Sequence, residues 1–291
     1  MIRDFEYFAP KTLKEALTLW DKYGDEGKII AGGQSLLILM RQGLVAPEYL
    51  VDIKGVSELN YIKSGAKGGL RIGALTPHRA IEKSPLMRNG FAVLAEMENR
   101  LASIQTRNWG TIGGNICHAD PAGDPAPVLI ALNATLTTAS LKGERNMAVE
   151  DFCLDYFETA LEHGELLTEI QIPAAPPHTS TAYTKFNVIE SDMATVGVAV
   201  SITLGSSDGI CQDIRIALGA VAPTPMRAKQ AEAALRGKKI TDNLLKEAGE
   251  IASTEVEPIS DMLASEEYRR ELVRVLVRRV GKEALARAKQ A

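Results

Sequence analysis

Cysteine is scarce in this chain. Cys117, Cys153 and Cys211 are scattered with no CxxC pair, which argues against a disulfide framework, a zinc site or an iron–sulfur cluster. Aromatic residues are only 5%, so no stacking platform for nucleic acid is expected. No apolar run approaches the roughly 18 residues of a membrane span. The opening Met1-Ile2-Arg3-Asp4-Phe5-Glu6 lacks an apolar signal region, and a cytoplasmic location follows as the expectation. The four histidines (His78, His118, His163, His178) are dispersed. None has a serine or cysteine partner suggestive of a triad, and no catalytic acid or base is assigned. His118, Asp120 and Asp124 lack recognised metal-ligand spacing.

What remains is an ordinary globular composition, 45% hydrophobic and 24% charged over 291 residues, with room for two or three small domains. The net charge of −4 hides an asymmetry. Residues 268–291 hold eight basic side chains (Arg269, Arg270, Arg274, Arg278, Arg279, Lys282, Arg287, Lys289) against two acidic ones, Glu271 and Glu283. Such a tail can bind nucleic acid, form a solvated helix face or dock a partner. The expectation here is partner docking, with no nucleic acid.

Thr12-Leu13-Lys14-Glu15 matches a capping box that opens a helix, and Gly24 offers a stop. Lys28 to Ala31 reads as a short buried strand, and Leu36 to Met40 as a helix. Tyr49 to Ile53 and Leu70 to Ala74 read as strands. Thr76-Pro77 reads as an N-cap with proline at the first helical position. A helix is expected from Phe91 to Ala102, with Leu94, Ala95, Glu98 and Leu101 at helical spacing. A second, apolar helix should cover Pro127 to Ala134, followed by a strand from Thr135 to Ser140. Leu166 to Ile172 alternates and stops at Pro173, as an edge strand would. Ala174 to Thr181 is the clearest linker. Beyond it, Val196 to Leu204 and Ile214 to Leu218 predict an antiparallel hairpin with one buried face, turning at Ser207-Asp208-Gly209. From Met226 onward the pattern is helical, broken at Gly237 and near Pro258. The C-terminal region therefore reads as a separate α+β unit.

Two glycine-rich runs carry most of the chemistry. Ala31-Gly32-Gly33-Gln34-Ser35-Leu36 lies between the first strand and its helix, where backbone N–H groups favour an anion. It is neither a Walker A loop nor G-x-G-x-x-G. Alone it could be an ordinary strand-to-helix turn. The second run, Thr111-Ile112-Gly113-Gly114-Asn115-Ile116, sits within Arg107-Asn108-Trp109-Gly110 through Pro121-Ala122-Gly123-Asp124. Two such turns imply two clamps on one extended, phosphate-bearing ligand. On residue type alone, Asp124 could accept from a ribose hydroxyl or be a solvated loop residue, and Lys185 reads as a surface charge.

AGGQSL and TRNWGTIGGNICHADPAGDPAP, about 80 residues apart, together resemble the signatures of the FAD-binding subunits of molybdenum hydroxylases, the xanthine dehydrogenase and carbon monoxide dehydrogenase family. The resemblance spans nearly the whole chain and implies an α+β protein. Its first part would be a two-subdomain FAD-binding fold of the vanillyl-alcohol oxidase type over 1–175 (subdomains about 1–56 and 57–175). A C-terminal antiparallel-sheet-and-helix domain would cover 176–291. It places Ile30, Ala31, Gly32, Gly33, Gln34, Ser35 and Leu36 around the FAD diphosphate, and Thr111, Gly113, Gly114 and Asn115 on its other side. Asp124 would bind along the ribityl–ribose portion and Ala102 would lie near the isoalloxazine. A leucine of the strand before Pro173 (Leu167 rather than Leu166) packs near the flavin, and Lys185 reaches it from the C-terminal domain.

The implied role is electron transfer. Electrons pass from [2Fe–2S] clusters of a small partner subunit to this FAD and on to an external acceptor, while a large molybdopterin subunit hydroxylates substrate. The implied assembly is a dimer of heterotrimers. The chain departs from the family pattern at Gln34, where histidine is common, and at Met193, where an aromatic residue is common. It also lacks the cysteine-rich insertion of some relatives. The rival readings are an autonomous FAD-dependent oxidase of the vanillyl-alcohol oxidase type and a nucleic-acid-binding module using the basic tail.

Overall fold

The computed structural model describes residues 2–88, 90–189, 191–205 and 209–290. Strand β1 (Glu6–Phe8) leads into helix α1 (Leu13–Tyr23), which opens with the expected capping box between Thr12 and Glu15. Strand β2 (Gly27–Ile30), helix α2 (Leu36–Gln42) and strand β3 (Tyr49–Asp52) follow. The three strands form a parallel sheet in the order β1-β3-β2. Ligands of open parallel sheets gather beyond the carboxyl ends of the strands. The first glycine run begins at that end of β2.

A second unit opens with strands β4 (Ile62–Ser64) and β5 (Leu70–Gly73). Helices α3 (His78–Lys83), α4 (Ala92–Arg100), α5 (Ile104–Trp109), α6 (Ile112–His118) and α7 (Pro125–Ala131) come next. Strands β6 (Thr135–Ser140), β7 (Gly143–Ala148), the small hairpin β8 (Cys153–Asp155) and β9 (Glu158–Thr159), and β10 (Leu166–Ile172) complete it. Five of these strands pair antiparallel in the order β4-β5-β10-β6-β7. β10 is thus central, not at an edge. Pro173 lies just past the last paired residue, Ile172, and so removes no ladder bond.

Other expectations shift for equally local reasons. Thr76 does not cap α3, because its hydroxyl donates to Tyr61 O at 2.9 Å and accepts from Tyr61 N at 3.2 Å. α7 starts two residues earlier than expected, since Pro125 and Pro127 both fit a first turn whose N–H groups have no helical partner. Helix α5 was not expected at all. Ser103 caps it, accepting from Thr106 N at 3.1 Å. The second glycine run is likewise no turn but the start of α6, with Thr111 as N-cap accepting from Gly114 N at 3.1 Å.

The C-terminal sheet is a meander of β11 (Thr179–Phe186), β12 (Val196–Leu204), β13 (Cys211–Gly219) and β14 (Met226–Arg227). β11 occupies part of the expected linker, and β14 stands where helix was expected. Ser207 and Asp208 of the expected turn lie outside the described residues. Helices α8 (Lys229–Leu235), α9 (Asp242–Glu255) and α10 (Glu266–Ala288) finish the chain.

Both faces of the β12–β13 hairpin are buried, where one was expected. Val198, Val200, Ile216 and Leu218 share a core with α10. On the opposite face Tyr183, Ala199 and Ala217 are cross-strand neighbours and belong to the same core as α4 and α7. The two halves are therefore joined by packing. Small residues make this possible: a Cβ on Gly219 would lie 2.8 Å from Pro127 Cγ.

The basic tail is an integral helix of the C-terminal half. Leu272, Val273, Leu276, Val277 and Val280 of α10 are buried. Arg270 pairs with Glu266, Arg274 with Glu250, Arg278 and Lys282 with Asp242, and Arg287 with Glu96. Arg269, 3% exposed, donates to Thr195 O and pairs with Asp261. Six of the eight cations, all but Arg279 and Lys289, take ion pairs among the described residues.

Candidate functional site

The two glycine runs meet directly. A Cβ on Gly32 would fall on the Trp109 carbonyl oxygen and 2.6 Å from Gly110 Cα. A Cβ on Gly110 would lie 3.5 Å from Gln34 Cγ, and one on Gly114 would lie 3.6 Å from Ala31 Cβ. These glycines let two backbones touch, and the result is a seam between the parallel-sheet unit and α6. Gly113 is set the same way against β5, where its Cβ would lie 2.5 Å from Ala74 O. Ala74 N in turn donates to Thr168 O at 2.9 Å, at the β10 bulge that follows Leu167. The seam thereby reaches Leu167, which is buried in the main core.

The two runs are not equivalent as anion clamps. Every N–H from Ile112 to Asn115 is taken within the chain, by Thr76 O, Ala74 O, Thr111 Oγ1 and Thr111 O. Gly33 adopts φ +70°, which glycine reaches at no steric cost. The N–H groups of Gly33, Gln34, Ser35 and Leu36 meet no acceptor among the described residues. Ser35 stands at the N-cap of α2 without a side-chain cap bond. Ile30 and Leu36 turn inward to a small core with Met40 and Leu50. The Asn115 side chain lies beside Gly123, whose Cβ would be 3.2 Å from Asn115 Oδ1.

Asp124 and Lys185 form a buried ion pair across the two halves, Nζ to Oδ2 at 2.8 Å with side chains 6% and 2% exposed. Lys185 faces Gly197 on β12, which leaves its length free to cross to α7. Nζ also donates to Asp192 O at 2.9 Å, and Tyr183 Oη donates to Asp124 Oδ1 at 2.6 Å. Burial pushes the Asp124 carboxyl up, and Lys185 and Tyr183 oppose it. Burial pushes the Tyr183 hydroxyl well above its ordinary value, and the Asp124 charge adds to this. Each Asp124 oxygen thus has one donor already. Asp120 is occupied apart from Asp124, accepting from Ala122 N at 2.9 Å.

Ala102 is placed by a separate device. It holds φ +42°, a left-handed conformation that costs a non-glycine residue roughly 1 kcal/mol. Arg107, 5% exposed, donates to Leu101 O at 2.7 Å and Ala102 O at 2.8 Å while pairing with Glu82 at 3.0 Å. Arg107, Tyr183 and the buried pair His78–Glu98, 2.9 Å apart, are absent from the sequence-derived site. One signal was available for the last: Glu98 stands at core spacing with Leu94 and Leu101, and a carboxylate there demands a partner.

Gly32→Ala should separate the two runs. The added methyl has only backbone to displace, and overpacking of this kind costs about 1–3 kcal/mol. If the resemblance to FAD-binding subunits holds, the expected outcome is loss of most bound flavin at a melting temperature only a few degrees lower; full flavin retention would show that the seam tolerates widening.

Comparison with known proteins accords with this geometry. Residues 3–175 match the family of FAD-binding domains in molybdopterin dehydrogenase, and residues 181–284 match the CO dehydrogenase flavoprotein C-terminal domain. The chain is 36% identical over 280 residues to the glyceraldehyde dehydrogenase medium chain of Sulfolobus acidocaldarius, covering 96% of this chain and 98% of that one. It is 35% identical to the carbon monoxide dehydrogenase medium chain of Hydrogenophaga pseudoflava, covering 97% and 98%. Among solved structures, carbon monoxide dehydrogenase from Hydrogenophaga pseudoflava superposes with a TM-score of 0.95 at 37% identity, over 99% of both chains. Quinoline 2-oxidoreductase from Pseudomonas putida 86 superposes with 0.91 at 33% identity, over 99% of both. By matches that leave almost no residue uncovered, the chain belongs to the molybdopterin dehydrogenase FAD-binding family.

Proposed function

We propose that this chain is the FAD-binding medium subunit of a molybdenum-containing hydroxylase, with the cofactor laid along the seam. The observation that carries this reading is the set of four successive N–H groups, Gly33 to Leu36, without an acceptor among the described residues. Converging amides of this kind suit a diphosphate. Gly113, Gly114 and Asn115 serve the other wall by close packing, with Thr111 capping α6, while Lys185 and Asp124 tie the C-terminal sheet to the start of α7. When bound, FAD supplies the electron-transfer chemistry. The residues of this chain hold and orient it, and none is assigned a catalytic role.

The finer reading divides the chain into an FAD-binding part of the vanillyl-alcohol oxidase type at 1–175, with subdomains about 1–56 and 57–175, and a C-terminal domain at 176–291. The parallel three-stranded unit and the antiparallel five-stranded unit support that division. The partners are a small subunit with two [2Fe–2S] clusters and a large molybdopterin subunit, in a cytoplasmic dimer of heterotrimers. No helix among the described residues is long and apolar enough to cross a membrane. The autonomous-oxidase alternative gains no support, since relatives spanning nearly the whole chain are named medium chains.

Co-expression with the neighbouring subunits should give a complex carrying flavin, iron and molybdenum. The flavin-loaded chain alone should oxidise no alcohol or aldehyde. Appreciable turnover by the isolated chain would overturn the subunit reading, and a colourless chain would overturn FAD binding itself.

A further inference from the structure

His78 is 3% exposed, yet only one of its ring nitrogens has a partner among the described residues. Nδ1 lies 3.1 Å from Glu98 Oε1 and 2.9 Å from Oε2, and Glu98 is fully buried on α4. No other side chain among the described residues bonds that carboxyl. Nε2 meets no acceptor or donor among the described residues. A carboxylate on one imidazole nitrogen fixes ring orientation and leaves the other nitrogen for a ligand.

The position of the ring gives that free nitrogen a direction. His78 N donates to Gly110 O at 3.0 Å, which ties α3 to the seam. Cδ2, the ring carbon bonded to Nε2, lies at the same place: a Cβ on Gly110 would lie 3.2 Å from His78 Cδ2 and 3.5 Å from Gln34 Cγ. The imidazole therefore stands where the first and second glycine runs meet.

We propose that His78 is a cofactor-binding residue, its Nε2 contacting the diphosphate–ribityl chain of FAD at the seam, with Glu98 as the positioning residue that fixes the ring. This rests on the FAD reading above. A phosphate oxygen can accept from a protonated Nε2 and a ribityl hydroxyl can donate to an unprotonated one, so either tautomer of the ring serves the contact. Burial pushes the Glu98 carboxyl up, and His78 opposes it.

The test uses the full-length chain labelled with ¹⁵N-histidine, stripped of flavin and then reloaded with FAD. The His78 Nε2 resonance should move on FAD addition. His78→Gln places an amide nitrogen near the position of Nε2 and should hold FAD within about threefold of the native affinity, whereas His78→Phe should lose about tenfold or more. Glu98→Gln should alter the Nε2 signal of the FAD-bound chain, an effect that packing alone would not produce. An Nε2 resonance unmoved at saturating FAD overturns the inference even if a variant fails to fold. Equal losses in the glutamine and phenylalanine variants do the same. Failure of the native chain to take up FAD overturns the FAD reading instead, so the two failures are distinguishable.

Discussion

Deleting residues 268–291 should abolish folding of the C-terminal half, and with it flavin retention. Leu272, Val273, Leu276, Val277, Val280 and Leu285 are all buried on α10. Removing them forfeits on the order of 10 kcal/mol of burial, comparable with the ~5–15 kcal/mol stability of a whole domain. Backbone proximity adds to this. A Cβ on Gly249 of α9 would fall on Arg274 O, and one on Gly281 would lie 2.8 Å from Leu245 Cδ2. The deletion also strips the cover from one face of β11 and β12, exposing Val198 and Val200. Aggregated or protease-sensitive protein without bound flavin is the expected outcome, read by solubility and circular dichroism. A soluble, flavin-bearing truncation that merely fails to co-purify with partners would restore the docking role expected from charge alone.

Lys185→Met should be the most damaging single substitution in the site. It leaves Asp124 buried and uncompensated, a change that typically costs about 3–5 kcal/mol. Burial already pushes the Asp124 carboxyl up, and Lys185 is the strongest opposing influence. In the variant the carboxyl should take up a proton. An acid whose folded-state pKa is raised weakens the fold increasingly as pH climbs above its ordinary value, so the loss should shrink at acid pH. Adding Asp124→Asn should recover most of the stability, because Tyr183 Oη can still donate to the amide oxygen. It should not recover FAD affinity. Thermal melts and flavin-to-protein ratios over a pH series separate the two effects; full flavin binding in the stable double variant would reduce the pair to a structural tie.

The sheet-and-helix order was largely legible because its signals are local. The Thr12–Glu15 box, the valine alternation of β12 and the glycine runs each act within a few residues. What was hidden is what depends on distant partners. Nothing in Leu166–Ile172 tells that β5 and β6 flank it on both sides, and a following proline mimics an edge. Lys185 looks like a surface charge until Asp124, 61 residues away, is brought beneath it. The run of arginines in α10 reads as a free basic face until Asp242, Glu250 and Glu96 are set opposite. The glycine runs are legible as places of close approach, but the sequence does not tell that Gly32, Gly110 and Gly113 bring protein backbones together as well. Glu98 shows the reverse case, a clue present at core spacing but unread.

The central place of β10 has a consequence for how the protein is made. During synthesis β5 and β6 leave the ribosome well before Leu166–Ile172, and each then presents an unpaired edge where its neighbour belongs. The five-stranded sheet closes only through pairings such as Ile170 with Ile72, a long loop whose closure entropy slows folding. Until that moment α3 to α7 have no finished sheet to pack on, and the seam has no fixed wall. Flavin capture is thus a late event in the life of the chain, and an interval of aggregation-prone exposure precedes it.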